Sequence, residues 1–99
     1  MIINQAKEQN SIILSVSGEL TALTAGQLSD AIGKAIEETN SLVLDFKDLE
    51  YVASAGLRVL LQAKKLLDAK KGELIIRKVC EAVMDVLEVT GFSNILNLE

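Results

Sequence analysis

A lone serine stands in the stretch "YVASAGL", where an apolar segment ends and a helical pattern begins. Ser54 is flanked by Ala53, Ala55 and Gly56, so no bulky neighbour in sequence shields its hydroxyl. As a helix N-cap, its oxygen would accept a hydrogen bond from a first-turn N–H group, worth ~1 kcal/mol. As a phosphoacceptor, it would carry about −1.5 to −2 added charge at the positive end of the helix dipole, enough to switch off a partner docked there. The residues alone leave both roles open.

Catalysis by this serine has little support in the sequence. A nucleophilic Ser54 needs a base, and because the chain has no histidine only Lys47 or another lysine could serve. The acids Asp45, Asp48 and Glu50 follow one strand, but no second cluster accompanies them, and we interpret them as a solvated rim. G-x-G-x-x-G and Walker sequences are absent. We therefore expect a protein that is not an enzyme and uses no metal or cofactor.

Composition narrows the range of partners. The chain has 99 residues, 49% hydrophobic and 24% charged, which predicts one folded domain over residues 1–99. Its net charge of −4 argues against nucleic acid, whose phosphates require a lysine and arginine surface. No stretch resembles a signal peptide or reaches the ~20 apolar residues that span a bilayer, so we expect no membrane partner.

Cysteine and aromatic residues are scarce. Cys80 is the only cysteine, and we interpret it as a small buried hydrophobe at a helix start, with a reactive thiol as the alternative. A reducing, cytoplasmic setting fits this usage. Phe46, Tyr51 and Phe92 are the only aromatics. With so few aromatics to anchor an interface, we expect a monomer.

The first half of the chain alternates strand and helix patterns. "MIINQAKEQ" suits a short edge strand, Gln9 and Asn10 a turn, and "SIILSVSGEL" a second strand with a period of two. Thr24 is a candidate helix N-cap with Gln27 as its capping-box partner, although Glu37 and Glu38 are unfavourable near that helix's C-terminus. The helix's apolar stripe comprises Leu28, Ala31, Ile32, Ala35 and Ile36.

The second half continues the alternation. "SLVLDF", residues 41–46, is the near-continuous apolar run of a strand covered on both faces. The helix after Ser54 is expected to close at Lys70 and Lys71, with Gly72 just beyond. "ELIIRK" predicts a strand, "VCEAVMDVLEVTG" a last helix and "FSNILNLE" a tail strand or turn. The order β-β-α-β-α-β-α predicts an α/β domain, with three helices on a small mixed sheet of about four strands.

Three segments, in order, resemble the STAS-domain family, in particular its stand-alone anti-sigma factor antagonists. They are "VSGELTALTAGQLSDAI", "LVLDFKDLEYVASAGLRVLLQAKK" and "KGELIIRKVCEAVMDVLEVTGFSNILNL", and together they cover almost the entire chain. The most specific parts are "SGEL", "DFKDLEYVASAGLRVLL" and "LEVTGFSNIL". The resemblance implies a STAS-like fold.

The resemblance also implies a partner switch. The unphosphorylated protein would bind an anti-sigma factor that is also a serine kinase, the kinase would phosphorylate Ser54 with ATP, and a serine phosphatase would remove the phosphate. The turn around Ser54 would meet the partner. We call the residues of this predicted contact the docking surface: Thr21, Thr24, Ala53, Ser54, Ala55, Gly56 and Arg58.

The chain departs from the family pattern at three positions of this surface. Ala53 stands where many members carry an acid, Ala55 where many carry the phosphoacceptor, and Thr21 where many carry a second acid. Members with a serine-alanine-glycine-leucine junction use the serine that matches Ser54. The departures support an alternative function, a STAS subunit that is not phosphorylated and has a structural or ligand-binding role in a larger complex such as a transport assembly.

Overall fold

A computed structural model describes all of residues 1–99. The strands are β1 (Ile2–Glu8), β2 (Ser11–Leu20), β3 (Ser41–Asp45), β4 (Leu49–Val52), β5 (Glu73–Arg77) and β6 (Asn97–Leu98). The helices are α1 (Ala25–Glu38), α2 (Ser54–Ala69) and α3 (Glu81–Val89), and a 3-10 turn follows at Phe92–Asn94. None of the helices combines the length and the apolar character that crossing a membrane requires.

The strands form one mixed sheet in the order β1-β2-β3-β5-β6, and β4 pairs separately with the end of β2. Only the β1–β2 pair is antiparallel. The predicted α/β class with three helices is confirmed, but the sheet has six strands instead of about four. The additional strand β4 does not show a period of two. It is short, and its two buried residues, Leu49 and Val52, lie at its ends with the exposed Glu50 and Tyr51 between them. The sequence predicts either a strand or a turn for the tail. In the structure the tail forms a 3-10 turn followed by the two-residue strand β6.

The main hydrophobic core lies on one face of the sheet, where all three helices cover it. Strand side chains align across this face in register, as in Leu14 beside Leu44 and Leu44 beside Ile76. Ile13 and Val43 point to the opposite face and lie outside the core cluster, yet they are only 6% and 8% exposed. β3 is therefore buried on both faces, as its apolar run predicts, although helices cover only one.

Helix ends differ from the sequence-based expectations. Thr24 is the N-cap residue of α1, but its side chain makes no capping hydrogen bond. Gln27 does not close a capping box, because its Nε2 donates to the Met1 carbonyl at 3.2 Å. Ser54 is not a cap either, since α2 begins at Ser54 and Ala53 is its N-cap residue. The structure therefore removes the capping role proposed for the Ser54 hydroxyl.

The C-terminus of α1 is stabilised by a lysine at the end of α2. α2 ends at Ala69 with no basic residue in its last turn, and Lys70 lies just after it as the C-cap residue. The Lys70 ammonium donates to the carbonyls of Ile36 and Thr39, near the end of α1. A cation near a helix C-terminus is stabilising. Lys70 thus offsets the unfavourable acids that end α1.

Candidate functional site

The site is assembled where β2 and β4 end side by side. Leu20 and Val52 pair in parallel, and the Ala53 N–H donates to the Leu20 carbonyl at 2.9 Å. The residues that follow, Thr21 and Ala53, therefore leave the sheet at the same edge, and Ser54 comes directly after Ala53. Carboxyl ends of parallel strands are where ligand sites of open α/β sheets form. β4, which the sequence pattern did not predict, is thus the element that brings the two halves of the docking surface together.

Gly56 allows the first turn of α2 to pack directly on these strand ends. A Cβ atom at this residue would lie 2.5 Å from Cγ of Leu20 and 2.9 Å from Cγ2 of Val52, closer than real Cβ contacts. Leu20 and Val52 are 0% and 2% exposed. The absence of a side chain at Gly56 thus permits this close approach. Because Gly56 is itself buried, it positions the turn and presents little surface to a partner.

Ser54 is the first residue of α2 and its side chain is exposed. Ala53 and Ala55 on either side are half-buried and carry only methyl groups. The residues on either side of the serine hydroxyl therefore place no large side chain next to it. Its exposure at a helix start is the feature that the phosphoacceptor hypothesis requires.

The turn that follows β2 is held by two threonine side chains. Thr24 Oγ1 donates to the Glu19 carbonyl at 2.8 Å and accepts from the Thr21 N–H at 2.9 Å. Thr21 Oγ1 accepts from the Leu23 N–H at 3.2 Å. Both hydroxyls thus fix the turn from inside. These hydrogen bonds give both threonines a structural role in the turn. Their contact with a partner stays a prediction.

Leu23, at the tip of this turn, is a candidate contact residue that sequence reasoning missed. A leucine before the N-cap residue Thr24 ordinarily packs against the residue four positions into the helix, here Leu28. Leu28 is fully buried, whereas Leu23 is 96% exposed, so this packing does not form. No sequence signal distinguishes the two cases. The structure adds an apolar side chain to the rim of the docking surface.

Arg58 lies one helical turn after Ser54 and is exposed. The four ion pairs of the structure join Lys7 to Glu38, Lys64 to Asp68, and both Arg77 and Lys78 to Asp45, so none of them involves Arg58. It is the only charged residue of the docking surface. In the unmodified protein its guanidinium is available to another group.

The acids near the end of β3 do not form a uniform rim. Asp48 and Glu50 are exposed, as expected, but the Asp45 side chain is only 12% exposed. Asp45 accepts a hydrogen bond from the Lys47 N–H at 3.0 Å and pairs with Arg77 at 3.6 Å. The interpretation as a solvated rim is therefore wrong for Asp45, which ties β3 to β5 because the two residues are register partners. No cluster of Cys, Asp and Glu side chains is arranged to hold a metal ion.

Cys80 is the N-cap residue of α3 and is half-buried, but its side chain makes no capping hydrogen bond. Its Sγ lies 3.3 Å from the carbonyl oxygen of Leu49, within the distance of a thiol hydrogen bond. The thiol therefore packs against β4, at the helix start where a small buried hydrophobe was expected, but Cys80 is only half-buried.

Comparison with known proteins agrees with this architecture. The sequence profile of the STAS domain matches residues 3–99. BtrV of Bordetella bronchiseptica is 31% identical over 96 residues, which cover 96% of this chain and 83% of BtrV. The anti-sigma-B factor antagonist of Listeria monocytogenes is 28% identical over 94 residues, covering 94% of this chain and 82% of that protein.

Solved structures share the fold at low sequence identity. The unphosphorylated form of the anti-sigma factor antagonist SpoIIAA superposes with a TM-score of 0.83 at 19% identity, covering 99% of this chain and 88% of that one. The phosphorylated form of SpoIIAA from Bacillus gives a TM-score of 0.76 at 18% identity, over 99% and 91% of the two chains. The fold therefore matches both forms of that protein.

Proposed function

Because the chain belongs to the STAS-domain family, we propose that it is an anti-sigma factor antagonist that works by partner switching. In this proposal the unmodified protein binds an anti-sigma factor that is also a serine kinase. Phosphorylation of Ser54 ends the binding, and a serine phosphatase restores it. The protein acts as a monomeric, cytoplasmic binding module without catalytic activity or cofactor of its own.

The exposed hydroxyl of Ser54 is the observation that carries the proposal. It stands at the start of α2, at the sheet edge where β2 and β4 end together. The names of relatives such as the anti-sigma-B factor antagonist of Listeria monocytogenes support the same function. The family, the fold and the exposed hydroxyl of Ser54 all support a phosphorylation switch at this residue.

The physical basis of the switch is the change in charge. Ala53 and Ala55 beside Ser54 are small and uncharged, so an unmodified turn can be desolvated at little cost on docking. A phosphoryl group adds about −1.5 to −2 charge to this surface. Burying that charge in an interface without a matching cation carries a large desolvation penalty. The phosphorylated protein should therefore leave the partner.

The direct test is phosphorylation by the candidate kinase from the same genome. Intact-mass spectrometry after incubation with ATP should show one added phosphate, and site mapping should place it on Ser54. Ser54→Ala should bind the kinase and remain unmodified, while Ser54→Asp should bind more weakly. Ser29→Ala is a matched control, because Ser29 is also exposed but lies on α1. A phosphate that persists in Ser54→Ala, or equal binding by all variants, would contradict the proposal.

The second candidate function is a structural or ligand-binding STAS subunit of a larger complex, such as a transport assembly. It is favoured by Ala53, Ala55 and Thr21, which stand where many proteins of the resembled family carry an acid, the acceptor hydroxyl and a second acid. Affinity purification of the tagged protein from its native cell separates the two functions. Co-purification with transport subunits and without a kinase would favour the second.

A further inference from the structure

Arg58 is the only charged residue of the docking surface, yet beyond its predicted contact with the partner it has no part in the switch described so far. We propose that the phosphate on Ser54 binds the Arg58 guanidinium of the same chain. Phosphorylation would then add negative charge and also withdraw the cation that Arg58 offers to the partner. This inference rests on the proposed function, because it concerns the same serine.

The spacing of the two residues suits such a pair. Side chains four residues apart in a helix lie on the same face, and both Ser54 and Arg58 are exposed in α2. Helix side chains lean toward the N-terminus, so Arg58 extends in the direction of Ser54. An acid that precedes its base by four residues is also the more favourable order.

The same helix already holds a pair with this spacing. Lys64 Nζ lies 2.8 Å from Asp68 Oδ1, in the less favourable order with the base first. The backbone of α2 thus allows a partly exposed pair four residues apart to close to hydrogen-bond distance. A phosphoserine at residue 54 offers three acceptor oxygens to a guanidinium, which can bind two of them at once.

Competition for Arg58 within the chain is absent. It belongs to none of the four ion pairs, and the first turn of α2 contains no acid. Before phosphorylation the guanidinium can therefore meet a carboxylate of the kinase. Afterwards the phosphate, tethered one turn away, competes with that carboxylate at high effective concentration.

An aspartate would reproduce this mechanism incompletely. Its carboxylate carries one charge and two oxygens on a shorter side chain than phosphoserine. It would hold Arg58 less tightly than phosphate does. We therefore expect Ser54→Asp to weaken kinase binding less than true phosphorylation.

The pairing is tested on protein that carries phosphoserine at residue 54, inserted during translation so that no kinase is needed. A ³¹P NMR titration gives the midpoint of the second phosphate ionisation. Arg58→Gln should raise this midpoint by about 0.3 pH unit, because a neighbouring cation favours the dianion. Lys65→Gln removes the same charge from an exposed residue of α2 farther from the phosphate and should change it much less. Equal midpoints in the parent and Arg58→Gln proteins would overturn the pairing.

The withdrawal of Arg58 is tested by calorimetric binding to the kinase. For each protein, the Kd of the phosphorylated form is divided by the Kd of the unphosphorylated form. This ratio should be at least about threefold larger for the parent protein than for Arg58→Gln, as expected for coupled residues. Equal ratios would overturn the withdrawal. If the kinase binds neither form, the proposed function fails and the withdrawal fails with it, whereas the NMR midpoint still decides whether the pair forms.

Discussion

Replacing Gly56 by alanine tests whether close packing at the junction holds the site together. The added methyl group would lie 2.5 Å from Cγ and 2.8 Å from Cδ2 of Leu20, and 2.9 Å from Cγ2 of Val52. Both neighbours are fully or almost fully buried, so neither can turn into solvent. The turn of α2 must move away from the strand ends or the leucine must leave its rotamer.

The expected cost follows from two opposing effects. Overpacking a core by one methyl group costs about 1–3 kcal/mol. Alanine is a better helix former than glycine by up to about 1 kcal/mol, and less of this applies in the first turn. Since the contacts at Gly56 are severe, we expect a net loss of about 1–2 kcal/mol. For a chain of this size that corresponds to a fall in Tm of about 5–10 °C.

Urea and thermal unfolding followed by circular dichroism measure this loss. Gly33→Ala is the matched control, because Gly33 lies inside α1 and a Cβ atom there meets nothing within 4 Å. The control should gain about 0.5–1 kcal/mol from helix propensity alone. If Gly56→Ala were as stable as the parent or more so, the idea that glycine is needed for the junction would be wrong.

Two further predictions concern the turn after β2. Leu23→Ala should weaken kinase binding by about 1–2 kcal/mol without changing the free energy of unfolding, because Leu23 is 96% exposed and an apolar anchor acts only in the complex. Leu66→Ala, a half-exposed site that lies ~18 Å along α2 from its start, should leave binding unchanged, and equal losses in both variants would contradict a specific contact. Thr24→Val should destabilise the fold by about 1 kcal/mol, since it removes the hydrogen bonds to the Glu19 carbonyl and the Thr21 N–H. Chemical denaturation checks this value, and an unchanged midpoint would show that the turn does not depend on these bonds.

The fold class could be predicted from local patterns because those patterns depend on neighbours in sequence. The apolar stripe that includes Leu28 and Ile32 repeats at helical spacing, and both side chains are buried in the core. The alternation along β2 likewise places Leu14 in the core and leaves Ser15 half-buried on the other face. Period and β-branching are sufficient for such elements.

The two short strands could not be predicted in the same way. β4 spans four residues and β6 two, and neither is long enough to show a period. Each is a strand because a neighbouring strand supplies hydrogen-bond partners, β2 for β4 and β5 for β6. Pairing between distant segments decides these elements, and that information is absent from any local window.

The hydrogen-bond partners of polar side chains could not be predicted from the sequence either. Thr24 and Gln27 match the capping-box pattern, yet the Gln27 amide donates its hydrogen bond to the Met1 carbonyl. The pairing of β1 with β2 brings this carbonyl close. Ser54 has the composition of a cap, but the chain enters the helix one residue earlier, at Ala53. A side chain with several possible partners takes the one that the fold places nearest.

By itself, the sequence determined the α/β class, the three helices, the two-sided burial of β3 and the position of one serine where a helix begins. The tertiary structure decided which groups meet at that junction. The pairing of β4 with β2 brings the chain after Leu20 and the start of α2 to the same edge of the sheet, and Gly56 lets α2 close on Leu20. It also decided that Leu23 faces outward while Leu28 is buried. Local periodicity reports how a segment divides its own side chains between core and solvent, whereas contacts between segments far apart in the chain depend on the packing of the whole domain.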